Sequence, residues 1–173
     1  MLFAPVLSIL PFVASSLATI YTSANLTYAN ATIIPAQLNS TGQRSYPRTT
    51  QLLNGVLLAT WDGFSPNSTG LPIYESKDSG RTWNSLSTVQ SVRSDLQIHH
   101  PALYTLPEAI GSYPAGTVLL GVNAVNRNST NIQIYASLTS GKTWEYATTV
   151  AIGGAGNTTN GATPVWEPFL YSK

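Results

Sequence analysis

Short apolar runs separated by Gly, Pro, Asn and Ser make up the chain from Tyr46 onward, and no long stretch has the apolar spacing of an amphipathic helix. The runs YPRTTQLL and VLLATW flank Asn54-Gly55, a dipeptide that favours a tight hairpin turn, so they predict two antiparallel strands. LPIYESK and TWNSLSTV follow as a predicted third and fourth strand.

The same order of elements returns in the second half of the chain. PALYTL, GTVLLGVNAV, NIQIYASL and TWEYATTV predict four more strands, and Ser137 follows Ser76 by 61 positions. Repeated units of four short strands at this period predict an all-β fold of the β-propeller type. A β-sandwich also has many short strands, but it would not repeat one turn motif at this interval.

The turn between the last two strands of each unit carries the repeated motif. The first copy reads S-x-D-x-G-x-T-W and comprises Ser76, Asp78, Gly80, Thr82 and Trp83. The second copy keeps Ser137, Gly141, Thr143 and Trp144 and has Thr139 at the Asp position. The motif resembles the Asp-box, or BNR, repeat of sialidase-like propellers, in which Ser and Asp bind turn N–H groups, Gly supplies an unusual backbone angle and Trp packs beneath. Because the second copy tolerates Thr139, we predict that Asp78 is structural rather than catalytic.

Composition narrows the classes of partner. The chain has 173 residues, enough for one domain, of which only 9% are charged, and its formal net charge is +1. No basic face suited to a polyanion is visible, so we expect no nucleic-acid partner. There is no cysteine, so core packing and strand pairing must hold the fold without disulfides.

The N-terminus indicates export. Residues 1–18 form an apolar run in which Ser16 and Ala18 fit a signal-peptide cleavage site. A buried strand or a membrane anchor is the alternative, but Pro5 and Pro11 interrupt a spanning helix. Six N-x-S/T sequons also indicate a secreted glycoprotein: Asn25, Asn30, Asn39, Asn67, Asn128 and Asn157. We expect residues 19–173 to form the extracellular propeller domain, with residues 19–43 as a first strand or extended lead-in and no membrane contact after cleavage.

The predicted strands that open each unit share a proline near their start. SYPRTT, IHHPAL and VWEPFL place Tyr46, His100 and Glu167 immediately before that proline. The resemblance to sialidase-like propellers implies that these strands line the central channel, with their entry ends on the ligand-binding face and the Asp-box turns on the opposite rim. Side chains from positions more than a hundred residues apart are therefore expected to converge at one mouth.

Glu167 is the candidate catalytic residue. It is the one carboxyl in the apolar and aromatic stretch NGATPVWEPFLY, and burial beside Trp166 and Phe169 would raise its pKa and suit it to general acid catalysis. The alternative is a strand-end Glu that binds a neighbouring loop. The residues alone leave both open.

Three segments carry a closer resemblance. LPEAIGSYPAGTVLLGVNA, GKTWEY and NGATPVWEPFL are similar to the secreted fungal BNR propellers related to glycoside hydrolase family 93, the exo-arabinanases, and the likeness covers about residues 44–171. It implies that Glu167 is one of two catalytic carboxylates of a retaining enzyme acting on plant cell-wall polysaccharide, and we expect the acid/base role. It also implies six blades, of which this chain holds about two plus the first strand of a third, so the second carboxylate is expected beyond Lys173 and this chain alone is expected to be inactive.

The remaining candidates are substrate contacts with structural alternatives. Arg48 resembles the Arg of the sialidase R-I-P motif and is expected to contact substrate or to form an ion pair. Asp62 could bind sugar hydroxyls or cap a loop, and Asn123 is a weaker cleft candidate. Trp61 and Trp166 could stack on a sugar ring or pack in the core.

The pair His99-His100 is expected to contact sugar or to pack a loop. A metal site is disfavoured because no acidic or His ligand accompanies the pair locally. We expect no metal or other cofactor, an oligo- or polysaccharide as the partner, and a monomer when the propeller is complete. A non-catalytic propeller that binds glycans or a protein is the alternative from another class, and a sialidase is a weaker one because only one of its three arginines can be placed.

Overall fold

The fold consists of β-strands throughout the residues that the computed structural model describes, which are 43–64, 70–157 and 159–172. The eight strands are β1 (Gln43–Gln51), β2 (Leu57–Phe64), β3 (Gly70–Ser76), β4 (Asn84–Gln90), β5 (Gln97–Thr105), β6 (Val118–Val125), β7 (Thr130–Ser137) and β8 (Glu145–Gly153). In these ranges no helix has the length and apolar character needed to span a membrane. The predicted signal peptide, the lead-in to residue 42 and the sequons at Asn25, Asn30, Asn39 and Asn67 lie outside the described residues.

The strands form two four-stranded antiparallel sheets, each in simple chain order. This confirms the predicted all-β fold with two repeated four-stranded units. The turn between β1 and β2 shows why this sequence forms a hairpin. Gly55 has a φ of 87°, in the left-handed region that a residue with a side chain rarely adopts. The amide of Leu52 donates to the carbonyl of Val56 at 2.8 Å, and Asn54 Oδ1 accepts from the amide of Val56 at 3.2 Å.

The main hydrophobic core lies where the two sheets face each other. Leu58, Leu71 and Ile73 of the first sheet are fully buried in one cluster with Val118 and Leu120 of the second. Strand β5 is the strand of the second sheet that contacts the first sheet most extensively, since it touches β1, β2 and β3. Each large aliphatic side chain buried here contributes about 1.5–3 kcal/mol, so the contact between sheets stabilises both units.

The outer strands of the two sheets differ in how well they are covered. Val89 on β4 is 1% exposed, whereas Val150, its counterpart 61 positions later on β8, is 61% exposed. Ile152, also on β8, is 76% exposed. The second sheet covers β4, but no described residues cover β8 in the same way.

The segment around Glu167 is not paired in a ladder, although a strand was predicted for PVWEPFLYS. A strand needs a hydrogen-bonded neighbour, and the described residues supply none beside this segment. Side chains of the second sheet hold it instead. Asn123 Nδ2 donates to the carbonyl of Val165 at 3.1 Å, and the amide of Val165 donates to Thr130 Oγ1 at 2.8 Å.

The segment around Glu167 nevertheless packs on β5 in the same way that β5 packs on β1. The hydroxyls of Thr50 and Thr105 lie 3.0 Å apart between β1 and β5. One repeat later, the hydroxyls of Tyr104 and Ser172 lie 2.6 Å apart between β5 and this segment. These contacts occupy equivalent positions in the repeat. Thr50 follows Tyr46, and Tyr104 follows His100, by four residues. Thr105 follows His100, and Ser172 follows Glu167, by five residues. The contact between neighbouring units is therefore repeated.

Candidate active site

The Asp-box turns and the residues before the prolines lie at opposite ends of the sheets. Ser76 pairs with Leu57 at the start of β2, whereas Ser45, next to Tyr46, pairs with Asp62 near the end of β2. The predicted division of the propeller into two faces therefore holds for the first sheet.

Asp78 organises the first Asp-box turn through several hydrogen bonds. Its Oδ1 accepts from the hydroxyl of Ser76 and from the amide of Thr82, both at 2.8 Å. Its Oδ2 accepts from the hydroxyl of Thr82 at 2.6 Å. These bonds, first those from Thr82 and then that from Ser76, stabilise the charged form and lower the pKa of Asp78 from 3.8 to about 2. Both carboxylate oxygens are occupied by the turn, as expected of a structural residue.

The second Asp-box turn uses a hydroxyl where the first uses a carboxylate. Thr139 Oγ1 accepts from the amide of Thr143 at 2.9 Å and lies 2.7 Å from its hydroxyl. This turn also contacts the first sheet, because the hydroxyl of Ser87 donates to the carbonyl of Gly141 at 2.6 Å. The indole of Trp144 donates to both Gly141 O and Ser87 Oγ. The hydrogen bonds of this turn to Ser87 therefore also connect the second sheet to the first.

The three residues that precede the prolines share an unusual backbone conformation. Tyr46, His100 and Glu167 have φ values of 51°, 49° and 49°. A positive φ is uncommon for a residue with a side chain, and a following proline further restricts the backbone. In β1 and β5 the register shifts at this point, between Ser45 and Arg48 and between His99 and Ala102. The sequence showed that the positions correspond, but it carried no signal for this conformation.

The side chains at these positions converge, as predicted. The rings of Tyr46 and His100 have centroids 4.4 Å apart, and those of His100 and Trp166 are 6.0 Å apart. The hydroxyl of Tyr46 donates to Glu167 Oε1 at 3.4 Å. Tyr46, His100, Trp166 and Glu167 form one cluster, which we call the mouth cluster.

The apolar burial expected around Glu167 is not found. Glu167 is exposed, Trp166 is partly exposed and Phe169 is 84% exposed. Because no described residues cover this segment from the far side, its aromatic side chains face outward. The prediction that these neighbours bury the carboxyl is therefore wrong for the described part of the chain, while its position in the mouth cluster stands.

His100 combines a buried nitrogen with a shifted pKa. Its Nδ1 is buried and has no hydrogen-bond partner among the described residues. Burial lowers the pKa of His100 below its usual 6.5, and this effect outweighs the opposing charge of Asp62. At neutral pH the ring is therefore uncharged and can both donate and accept a hydrogen bond.

Asp62 and Asn123 are buried behind the mouth cluster, and each is hydrogen-bonded to the next repeat. Asp62 Oδ2 accepts from the amide of His100 at 2.9 Å, and its Oδ1 lies 3.3 Å from His99 Nδ1. Asn123 occupies the corresponding position 61 residues later and donates to Val165. Asp62 was expected either to bind sugar hydroxyls or to cap a loop, and Asn123 was the weaker candidate for the cleft. In the structure each instead binds the strand or segment that opens the next repeat.

The remaining candidates differ in accessibility. Arg48 is exposed, donates to the carbonyl of Pro47 at 3.0 Å and lies 5.9 Å from the centre of the Tyr46 ring. It forms no ion pair within the described ranges, and its contact with substrate stays a prediction. Trp61 is buried and packs on Tyr74 with ring centroids 5.0 Å apart, so it belongs to the core.

Two further site predictions concern metals and glycans. In the described part of the chain, no three or more His, Cys, Asp or Glu side chains are grouped so that they could hold a metal ion. The sequon residues Asn128 and Asn157 are both exposed. Glycosylation at these two positions stays a prediction.

Comparison with known proteins supports the sequence-based resemblance. The α-L-arabinanase of Penicillium chrysogenum, solved with arabinobiose, is 44% identical, with a TM-score of 0.71 over 75% of this chain and 38% of that chain. The family 93 α-L-arabinofuranosidase of Fusarium graminearum, solved with arabinobiose, is 40% identical, with a TM-score of 0.71 over 76% of this chain and 38% of that chain. The Fusarium enzyme has also been solved with an iminosugar inhibitor, with the same figures. No protein-family profile and no curated protein sequence matches this chain.

Proposed function

We propose that this chain, which is related to the arabinanases and arabinofuranosidases of glycoside hydrolase family 93, supplies two blades and one catalytic carboxylate of a secreted, retaining exo-arabinanase. The relatedness supports a plant cell-wall glycoside hydrolase. The chain spans 38% of the length of these solved relatives, so the activity of a complete enzyme is part of the proposal.

The observation that carries the proposal is the shared backbone geometry of the mouth cluster. One conformation, a positive φ before proline, recurs in three successive repeats and places Tyr46, His100 and Glu167 side by side. Such strained positions cost about 1–3 kcal/mol each and are typical of functional sites. The side chains at these positions are a phenol, an imidazole and a carboxyl, all of which can bind sugar hydroxyls or transfer protons.

In the proposed mechanism Glu167 is the acid/base residue. It would protonate the glycosidic oxygen as the bond to the leaving group breaks, and then remove a proton from the water that releases the arabinosyl unit. A retaining enzyme needs a second carboxylate about 5–5.5 Å from the first as nucleophile. Asp62 does not suit that role, because it is 1% exposed and its oxygens face His99 and His100.

His100 and Tyr46 suit substrate binding within the same cluster. The His100 ring is partly exposed and lies against the Tyr46 ring, so the two side chains could contact a sugar together. Trp166 presents an exposed ring face beside His100 on which a sugar could stack. Arg48 lies near Tyr46 and could donate to further hydroxyls.

The test uses the complete enzyme to which this chain would contribute, and compares its wild type with Glu167→Gln on linear arabinan fragments. If the proposal is correct, Glu167→Gln lowers release of arabinobiose or arabinose by at least about a hundredfold, the typical contribution of a general acid–base residue. Glu108→Gln, at an exposed loop position, is the matched control and keeps wild-type turnover. Equal turnover by Glu167→Gln and wild type would exclude the catalytic role.

The second candidate, a propeller that binds glycan without hydrolysing it, is favoured by one observation. Among the described residues, Glu167 is the only exposed carboxyl in the mouth cluster, and its neighbouring carboxyl, Asp62, is buried. Titration of the complete enzyme with arabinobiose, followed by NMR and combined with the hydrolysis assay, separates the two. Binding at Tyr46, His100 and Trp166 without any product release would favour the second candidate.

A further inference from the structure

Asp62 is a buried carboxylate that faces protein groups rather than solvent. It lies near the end of β2, is 1% exposed, and both of its oxygens contact the opening strand of the next repeat. A charge removed from water in this way is costly unless donors satisfy it. The donors here are the amide of His100 and the imidazole of His99.

The His100 amide that Asp62 binds belongs to one of the three left-handed residues. Because β5 changes register between His99 and Ala102, the His100 amide is displaced from the ladder with β6. Asp62 Oδ2 accepts from that amide at 2.9 Å and so satisfies it. The unusual backbone of His100 is therefore held by a side chain from the preceding repeat.

The second repeat provides an internal comparison. Asn123 is 61 positions after Asp62, is completely buried, and donates through Nδ2 to Val165, two residues before the left-handed Glu167. In both repeats the polar residue near the end of the second strand therefore binds the next repeat beside its left-handed residue. The carboxylate can only accept, whereas the amide of Asn123 donates.

This difference has a consequence for His99. A carboxylate oxygen cannot donate, so the contact of 3.3 Å between Asp62 Oδ1 and His99 Nδ1 requires the hydrogen to be on Nδ1. In the neutral ring, Nε2 is then the nitrogen without hydrogen. Asp62 thereby determines which His99 nitrogen can accept a hydrogen bond.

We infer that Asp62 is a positioning residue for the mouth cluster: it holds the left-handed backbone of His100 and fixes the Nδ1–H tautomer of His99. It acts through these two residues and does not touch the reacting atoms. The consequence for hydrolysis rests on the proposed function, whereas the tautomer and the backbone contact do not.

The experiment uses NMR of the 15N-labelled chain at about pH 8, where an ordinary His is neutral. Long-range 1H–15N correlations identify the tautomer of His99, and hydrogen exchange measures protection of the His100 amide. In wild type we expect an Nδ1–H tautomer at His99 and a protected His100 amide. An Nε2–H tautomer in wild type would overturn the inference without any variant.

Asp62→Asn is the principal variant, because Asn123 shows that an amide fits this place in the strand. Its carbonyl oxygen can still accept from the His100 amide, but its NH2 group then faces His99. We expect His99 to switch to the Nε2–H tautomer while the His100 amide stays protected. Asp62→Ala should expose the His100 amide to exchange about tenfold faster, since a hydrogen bond to a charged group is lost.

Glu145→Gln also removes a carboxylate, but an exposed one at the start of β8, so it is the control and should change neither signal. An unchanged tautomer in Asp62→Asn would overturn the inference. If the tautomer switches but the complete enzyme hydrolyses no arabinan fragment, the positioning role stands and the proposed function fails.

Discussion

The hydroxyl of Tyr46 donates to Oε1 of Glu167 at 3.4 Å, across 121 positions of sequence. The two residues come from the first and third repeats, and the His100 ring of the second repeat packs on Tyr46. Each of the three has the same positive φ before a proline. The mouth cluster is therefore built by one backbone feature used three times.

Tyr46→Phe should weaken the mouth cluster without unfolding it. The variant keeps the ring that packs on His100 and loses only the hydroxyl that contacts Glu167. A single hydrogen bond is worth about 0.5–1.5 kcal/mol, so we expect arabinobiose affinity or turnover to fall by about two- to tenfold. Tyr113→Phe, on the loop after β5, is the control. If Tyr46→Phe binds and turns over ligand like wild type, the contact between Tyr46 and Glu167 contributes nothing to ligand binding or turnover.

Asp78→Ala should lower thermal stability and leave ligand binding at the mouth cluster unchanged. The substitution removes the acceptor for the amide and hydroxyl of Thr82 and for the hydroxyl of Ser76. Loss of a comparable capping group lowers Tm by roughly 2–6 °C in a domain of this size. A normal Tm combined with lost arabinobiose binding would assign Asp78 to the site instead.

Asp78 should also make the stability of the fold depend on pH in the acid range. The folded pKa of Asp78 is about 2, below the reference value of 3.8, so its carboxylate stabilises the fold above pH 3.8. This contribution disappears as pH falls from about 3.8 to 2. Thermal melts of wild type and Asp78→Ala should therefore converge over that interval, and a constant difference in Tm down to pH 2 would contradict the prediction.

Thr139→Asp should stabilise the second Asp-box turn. Thr139 already accepts from the amide of Thr143, and a carboxylate could also accept from the Thr143 hydroxyl, as Asp78 does from Thr82. Charge-assisted bonds are stronger than neutral ones, so Tm should rise by a few degrees at neutral pH. Thr139→Asn, which adds no charge, is the control. Melts that show Thr139→Asp at or below wild type would mean that this turn does not accommodate the carboxylate.

How far the sequence predicts this structure depends on the range of the interactions. The hairpins and Asp-box turns follow from contiguous residues such as Asn54-Gly55 and Ser76 to Trp83, so both were predictable. Convergence of Tyr46, His100 and Glu167 was predictable from the repeat taken together with the resemblance to sialidase-like propellers. The contact of Asp62 with His100 was not, because it depends on how one sheet sits on the next, and the left-handed backbone before each proline runs against local preference.

His100 should make the fold sensitive to mild acid. Burial lowers its folded pKa below the 6.5 of the unfolded chain, so the unfolded state binds a proton first. Stability is then complete above about pH 6.5 and falls as pH drops through the lowered folded pKa. His100→Asn does not titrate and tolerates a positive φ. Its Tm should depend less on pH between 7.5 and 5 than that of wild type, and equal pH dependence of the two proteins would refute the assignment.

The exposed surface of β8 should make the chain associate. β8 ends the order β5-β6-β7-β8, so no described strand pairs with its outer edge, and it exposes Val150 and Ile152. An edge strand with exposed apolar side chains is a template for pairing with another chain. The exposed rings of Phe169 and Tyr171, 6.2 Å apart, add further apolar surface. We therefore expect concentration-dependent self-association of the chain, expressed in a secreting host, in size-exclusion chromatography with light scattering.

Val150→Thr and Ile152→Thr test this prediction, because Thr keeps the β-branched shape that strands favour and adds a hydroxyl to the exposed face. Together they should shift the equilibrium toward monomer at equal concentration. Val92→Thr makes the same change at another exposed position, between β4 and β5, and should leave association unchanged. A wild-type chain that elutes as a sharp monomer at every concentration would show that β8 needs no cover. Hydrolysis of arabinan fragments by that monomer would further show that these residues complete a catalytic site by themselves.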